Sequence, residues 1–254
     1  RAASTPVLGF TAILCIALAA GGAAAFNQWY EADLDARMKR TAKRPIPAGR
    51  VSKSDARDFA SVLCGASVLT MGLAIGWLAA AILAVSIFYY VVVYTMWLKP
   101  RTPQNIVIGG GAGAFPPLIG WVAVSGDITL TPVLLFAIIF FWTPPHFWAL
   151  AIRYREDYSA ASVPMLPAVA TLAATARKIT LYTVMLVGTT LVFAPVADMG
   201  AVYVAAALIL GALFGVLALA VQRDPTERAA MRLFSYSITY VTLLFAAMIV
   251  DVLV

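Results

Sequence analysis

The chain has 254 residues, of which 62% are hydrophobic and only 12% charged, with a mean hydropathy of +0.90 and a formal net charge of +6. Soluble globular domains are usually about 45–50% apolar and about a quarter charged, so that class is excluded. The charges form short islands between long apolar runs, which leaves no room for a separate polar domain. The expectation is an all-α, polytopic transmembrane helical bundle, a single domain over residues 1–254.

The first apolar run covers 6–26. No basic n-region and cleavage site precede it, so it reads as a span and not as a cleaved signal peptide. It empties into "NQWYEADLDARMKRTAKRPIPAGR", residues 27–50, where Glu31, Asp33 and Asp35 are followed by Arg37, Lys39, Arg40, Lys43 and Arg44. If the helix continues past Asn27, then Asn27, Glu31 and Asp35 recur at i, i+4 and i+8 and share one face, while Asp33 points elsewhere. Hard oxygen donors on one spot suit Mg²⁺, which takes one or two carboxylates and completes its shell with water and phosphate oxygens. The neighbouring cations complement phosphate. Ion pairs in a solvated basic loop are the plainer account of the same residues.

Spans at 58–78 and 80–97 abut, which calls for a tight turn near Ala80. "LKPRTPQN", 98–105, then puts Lys99 and Arg101 at a helix end, either approaching a phosphate or snorkelling to the interface. In the next span, 105–125, "GGGAGAFPPLIGW" lacks the Lys-Ser/Thr ending of a phosphate loop. Its small residues read as close helix packing, or as room for a flat or long ligand. The aromatic run "IFYYVVVY" before it reads mainly as interfacial belt, with any inward-facing rings able to stabilise a carbocation through their π faces.

The span at 130–150 ends in "WTPPHFW". Its paired prolines are expected to break or kink the helix. His146, the only histidine, is open to three readings: a haem ligand, a proton carrier, or a partner for a freed carbonyl. "RYREDYSAASVPMLP", 153–167, is a second island, with Glu156 and Asp157 among Arg153, Tyr154, Arg155 and Tyr158. Each island leaves a helix and runs into a proline-bearing loop, so the pair reads as two jaws of one membrane-embedded site for a lipid diphosphate. Spans at 179–197, 200–221 and 233–254 complete a count of eight.

Alternating spans would put 17 of the 18 Lys+Arg on one face, leaving only Arg1 opposite. The positive-inside rule assigns that face to the cytoplasm, or to the matrix of an organelle. The net charge is then topology, and a nucleic-acid partner is not expected. Cys15 and Cys64 lie within spans, without a CxxC or a companion histidine, and read as small buried residues.

The string N-x-x-x-E-x-D-x-D…M-K-R-T-x-x-R-P-x-P-x-G-R resembles the first aspartate-rich signature of the UbiA superfamily of intramembrane prenyltransferases. "YTMWLKPRTPQNIVIGGGAGAFPPLIGW", "FFWTPPHFWALAIRYREDYSAASVPMLP" and "LFSYSITYVTLLFAAMIVD" are similar, more narrowly, to its haem O synthase (protohaem IX farnesyltransferase) branch, over essentially the whole chain. The resemblance implies nine helices, the extra one lying ahead of Arg1. It implies transfer of a farnesyl group from farnesyl diphosphate to a vinyl group of haem B, with addition of water and Mg²⁺ as cofactor. It implies a bacterial inner membrane or mitochondrial inner membrane location, with haem A synthase or terminal oxidase assembly as candidate partners. Carried over by position, Asn27, Glu31 and Asp35 match the first metal–diphosphate motif, and Lys39, Arg40 and Arg44 its basic tail. Glu156 and Asp157 match the second acidic motif, and His146 matches a family histidine. Lys99, Arg101 and Arg153 join the diphosphate-binding set. Two departures stand out: position 31 is Glu where Asp is usual, and the second DxxxD reads Tyr154…Tyr158. The alternatives are a UbiA-type enzyme acting on an aromatic or quinone precursor, and a secondary transporter.

Overall fold

The computed structural model describes residues 6–254, so Arg1, expected on the opposite face, lies outside the described residues. Eight long helices follow in chain order: α1 Pro6–Tyr30, α2 Lys53–Ala74, α3 Trp77–Leu98, α4 Asn105–Ser125, α5 Leu130–Arg153, α6 Leu172–Val196, α7 Ala201–Arg223 and α8 Glu227–Leu253. All but α2 are long and apolar enough to cross a membrane; α2 opens on Lys53, Asp55, Arg57 and Asp58. No strand occurs among the described residues. Large apolar side chains such as Phe10, Leu73, Ile209 and Leu253 point outward, as expected where the surrounding solvent is lipid.

The eight helices coincide with the eight apolar runs, but several begin earlier. Ser52, Thr171 and Thr226 cap α2, α6 and α8, their hydroxyls accepting from the backbone N–H of Asp55, Ala174 and Ala229. Such caps satisfy orphan donors of the first turn, so the helices extend through polar residues at the membrane surface. The turn expected near Ala80 lies instead at Ile75–Gly76, where Gly72 leaves room for the Trp77 ring. The paired prolines do not break α5. Pro144 and Pro145 lie inside it and the helix runs on to Arg153, although the Phe140 and Phe141 carbonyls lose their usual N–H partners.

Two clusters of buried side chains divide the bundle. One gathers α1–α4 around Cys15, Met71, Leu83 and Ile119; the other gathers α5–α8 around Ile138, Trp148, Leu186, Phe214 and Tyr240. The halves meet where α4 packs on α5. The glycine run makes this contact possible. A Cβ on Gly110 would lie 2.7 Å from Thr143 Cγ2 of α5, while one on Gly109 would collide with the Tyr94 ring of α3, within the first half. The close-packing reading of that run therefore holds, as does burial of both cysteines.

Candidate active site

Past Tyr30 the chain does not unwind. Glu31 N–H bonds to Asn27 O at 2.9 Å and Asp35 N–H to Glu31 O at 2.7 Å, through a one-turn helix at Ala32–Asp35. The i, i+4, i+8 register therefore survives the turn. Asn27, Glu31 and Asp35 are 6%, 5% and 2% exposed, whereas Asp33 points out to Lys53.

Buried carboxylates need partners, and both have them. Arg44 Nη1 donates to Asp35 Oδ2 at 2.8 Å. Glu31 Oε2 accepts from Lys99 Nζ and, at 2.9 Å, from Asn27 Nδ2. Asn27 Nδ2 also donates to Thr95 Oγ1 at 3.1 Å, and Thr41 Oγ1 donates to the Asp35 carbonyl at 2.9 Å. Sixty-eight residues of sequence separate Glu31 from Lys99, so this network fastens the end of α1 to the end of α3.

Lys99 reaches the network because the second half of α3, Tyr89–Leu98, is a π-helix. Its i→i+5 bonding gives about 4.4 residues per turn, and such segments gather at functional sites. Tyr90, Tyr94 and Lys99 then share one face. At about 3.6 residues per turn, Lys99 would project opposite Tyr90. Thr95 Oγ1 donates back to the Tyr90 carbonyl at 2.9 Å, a five-residue step matching that pitch.

These side chains open onto a cavity of about 310 Å³ between the two halves. Asn27, Arg40, Arg44, Tyr90, Tyr94, Lys99 and Tyr158 line its polar end; Gly109, Gly110, Ile139, Trp142, Thr143 and Phe147 continue it. A second cavity of about 250 Å³ shares Tyr90, Ala112 and Gly113 with the first. It extends along α1 past Ala23, Ala20, Ala19 and Ile16 towards Leu83 and Ile119. Together they join a cationic head to an apolar tail.

The second island contributes differently. Tyr158 and Met165 line the cavity, and the Arg40 guanidinium lies 6.0 Å from the Tyr154 ring centroid, so the two islands share one face. Glu156 is exposed and Asp157 half-buried, and neither makes an ion pair or side-chain hydrogen bond among the described residues. No group of three or more His, Cys, Asp or Glu is clustered as a metal cage among the described residues.

Four further candidates lie off the cavity. Lys39 is exposed. Arg101 donates to the Met96 and Trp97 carbonyls at 2.9 and 3.1 Å, closing the end of the π-helix. Arg153 Nε lies 3.4 Å from Glu227 of α8. His146 Nδ1 is 2.6 Å from Ser237 Oγ, and its ring stacks between Trp142 and Phe234. Sequence reasoning missed Tyr90, Tyr94, Thr95 and Thr143. An α-helical reading puts the first two on one face but turns Lys99 away from them, and only the π-helix brings all three together.

Residues 1–248 match the UbiA prenyltransferase family. The chain belongs to that family. Among its relatives, a protein of Novosphingobium aromaticivorans named protoheme IX farnesyltransferase is 58% identical over 251 residues, 97% of this chain and 83% of that protein. A protein of the same name from Erythrobacter litoralis is 56% identical over 254 residues, covering 98% and 83%. A solved UbiA homologue from Archaeoglobus fulgidus bound to GPP and Mg²⁺ superposes with a TM-score of 0.65 at 13% identity, covering 98% of this chain and 90% of that one. The UbiA fold thus accounts for the helical bundle, and the chain is an integral membrane prenyltransferase of this family.

Proposed function

We propose that the chain transfers a farnesyl group from farnesyl diphosphate to a vinyl group of haem B, with addition of water, giving haem O and diphosphate. The carrying observation is the pair of adjoining cavities: Asn27, Arg40, Arg44 and Lys99 line the head, Arg44 and Lys99 being held from behind by Asp35 and Glu31, and alanines wall the tail. The protoheme IX farnesyltransferases at 58% and 56% identity supply the acceptor.

The donor set fits Mg²⁺. Two buried carboxylates and an amide are hard oxygen donors, and two carboxylates are what that ion takes beside a substrate phosphate. Asn27, Glu31 and Asp35 are the residues that would hold it; of the second island's carboxylates, the half-buried Asp157 would join them and the exposed Glu156 would not. When bound, the ion would supply Lewis-acid stabilisation to the diphosphate oxygens.

The remaining chemistry falls to the chain. Arg44 and Lys99 now neutralise Asp35 and Glu31; with diphosphate present they are placed to turn their N–H groups to its oxygens, where preorganised charge does most for the departing group. Breaking the C1–O bond sends its electron pair away with diphosphate. The vinyl π pair then forms the new C–C bond. Water adds to the carbon beside the porphyrin, keeping hydroxide and releasing one proton. The apolar walls keep water from the allylic carbon until the acceptor arrives. We place the polar head at the cytoplasmic face of a bacterial inner membrane, or the matrix face of the mitochondrial one, and haem A synthase or oxidase assembly downstream.

Mass spectrometry of haem after incubation with farnesyl diphosphate and Mg²⁺ is expected to show haem O. Unchanged haem B, with prenylation of an aromatic precursor instead, would move the protein to another branch of the family.

A further inference from the structure

Resting on the reading that the donor is a prenyl diphosphate, we propose that the Tyr158 hydroxyl donates a hydrogen bond to that diphosphate, as the grip supplied by the second half of the bundle. The first half brings Arg40, Arg44 and Lys99 to the head of the cavity, with Tyr90 and Tyr94 among them. The second half brings Ile139, Trp142, Thr143, Phe147, Tyr158 and Met165. Three of those six carry a side-chain donor, and two of the donors are already used inside the bundle. Trp142 Nε1 donates to the Ser237 carbonyl at 2.7 Å and Thr143 Oγ1 to the Ile139 carbonyl at 2.8 Å. Tyr158 is 9% exposed, and its hydroxyl is neither sealed in nor given a partner among the described residues. Tyr203, Tyr236 and Tyr240 show the contrast, for each donates to a neighbouring helix, at 2.8, 2.8 and 3.4 Å. The half-buried Tyr182 has no such partner either, but it lies off the cavity.

The turn that carries Tyr158 is held at both ends. Tyr158 N–H bonds to the Tyr154 carbonyl at 3.1 Å, and Val163 N–H returns to the Tyr158 carbonyl at 3.0 Å. That return passes through Ser162 at a φ of 56°, a left-handed conformation that residues other than glycine seldom adopt. Backbone strain of this kind gathers where a ligand must be met by a fixed group. From the start of α4, Asn105 Nδ2 donates to the Thr102 carbonyl at 2.7 Å and reaches the Pro164 carbonyl at 3.5 Å, tying the turn to the first half. The phenol is thus presented on a fastened loop, facing a head lined by three cations. An uncharged hydroxyl can meet a phosphate oxygen directly, whereas a carboxylate at the same place needs a cation between. The diphosphate would then lie between the cations of one half and the phenol of the other.

The test uses purified full chain in lipid nanodiscs with Mg²⁺, titrated calorimetrically with inorganic diphosphate. Tyr158→Phe keeps the ring and removes the hydroxyl. It is expected to weaken diphosphate binding about 10–100-fold, the reach of a hydrogen bond to a charged group, and to leave the unfolding midpoint unchanged. Tyr182→Phe removes a phenol hydroxyl off the cavity and is expected to bind diphosphate as wild type does. Wild-type affinity in Tyr158→Phe, or an equal loss in both variants, overturns the grip. No diphosphate binding by wild type would sink the prenyl-diphosphate reading and the grip with it. Diphosphate held with this Tyr158 dependence, beside haem B that is never farnesylated, would sink the proposed acceptor and leave the grip standing.

Discussion

The islands at 27–50 and 153–167 both crowd acidic and basic residues at a helix end, and they meet opposite fates. In the first, Glu31 and Asp35 are buried and each holds a cation. In the second, Glu156 stays exposed, Asp157 is half-buried, and it is Tyr158 and Met165 that line the cavity. Acidic and basic letters crowded at a helix end therefore say little by themselves. What separates the islands is whether the helical register continues inward: it does from Asn27 to Asp35, carried by i→i+4 bonds. In the other island α5 ends at Arg153 and a separate turn begins at Arg155.

The comparison breaks most directly at Asp35. Asp35→Asn keeps the shape and removes the charge that Arg44 answers; kcat/KM is expected to fall by about 10²–10³, the usual cost of losing a preorganised electrostatic group, with expression and insertion intact. Near-normal turnover would strike the first island from the site.

Lys99→Met is expected next. It strands Glu31, 4% exposed at its side chain, without its cation, and removing one partner of a buried pair costs about 3–5 kcal/mol. A lower unfolding midpoint in detergent and a raised KM for farnesyl diphosphate are expected together. Glu31→Gln in the Lys99→Met background is expected to restore stability but not turnover, and failure to restore stability would mean the pair is not what holds α1 to α3.

Asp157→Asn sharpens the comparison. With no partner to lose, it is expected to lower kcat/KM by about tenfold or less, the reach of one solvent-screened charge. A loss as deep as that of Asp35→Asn would make the islands equals. Glu156→Gln is the smallest step: stability is expected to change by no more than about 0.5 kcal/mol, as for surface sites generally, and Mg²⁺ titration of activity is expected to overlay wild type.

Much of this was legible in the letters. Eight apolar runs became eight helices because a helix in lipid must satisfy its own backbone and be apolar outside, and both demands are local. The shared face of Asn27, Glu31 and Asp35, with Asp33 turned away, followed from period alone. Helix starts were misjudged wherever Ser52, Thr171 or Thr226 capped a polar first turn, since hydropathy marks the oily length and not the hydrogen-bonded one.

Tertiary structure alone decided which charges met. Glu31 with Lys99, Arg153 with Glu227 and His146 with Ser237 join residues 68, 74 and 91 positions apart, and no periodicity reaches so far. The π-helix that turns Tyr90, Tyr94 and Lys99 to one side belongs here too; its Tyr94 and Tyr89 rings pack against Gly109 and Gly111 of the next helix. The sequence by itself determined the long apolar helices and the first carboxylate face, through forces acting within a few turns. Which cations those carboxylates hold, and which arginines are left over, came only when distant helices packed.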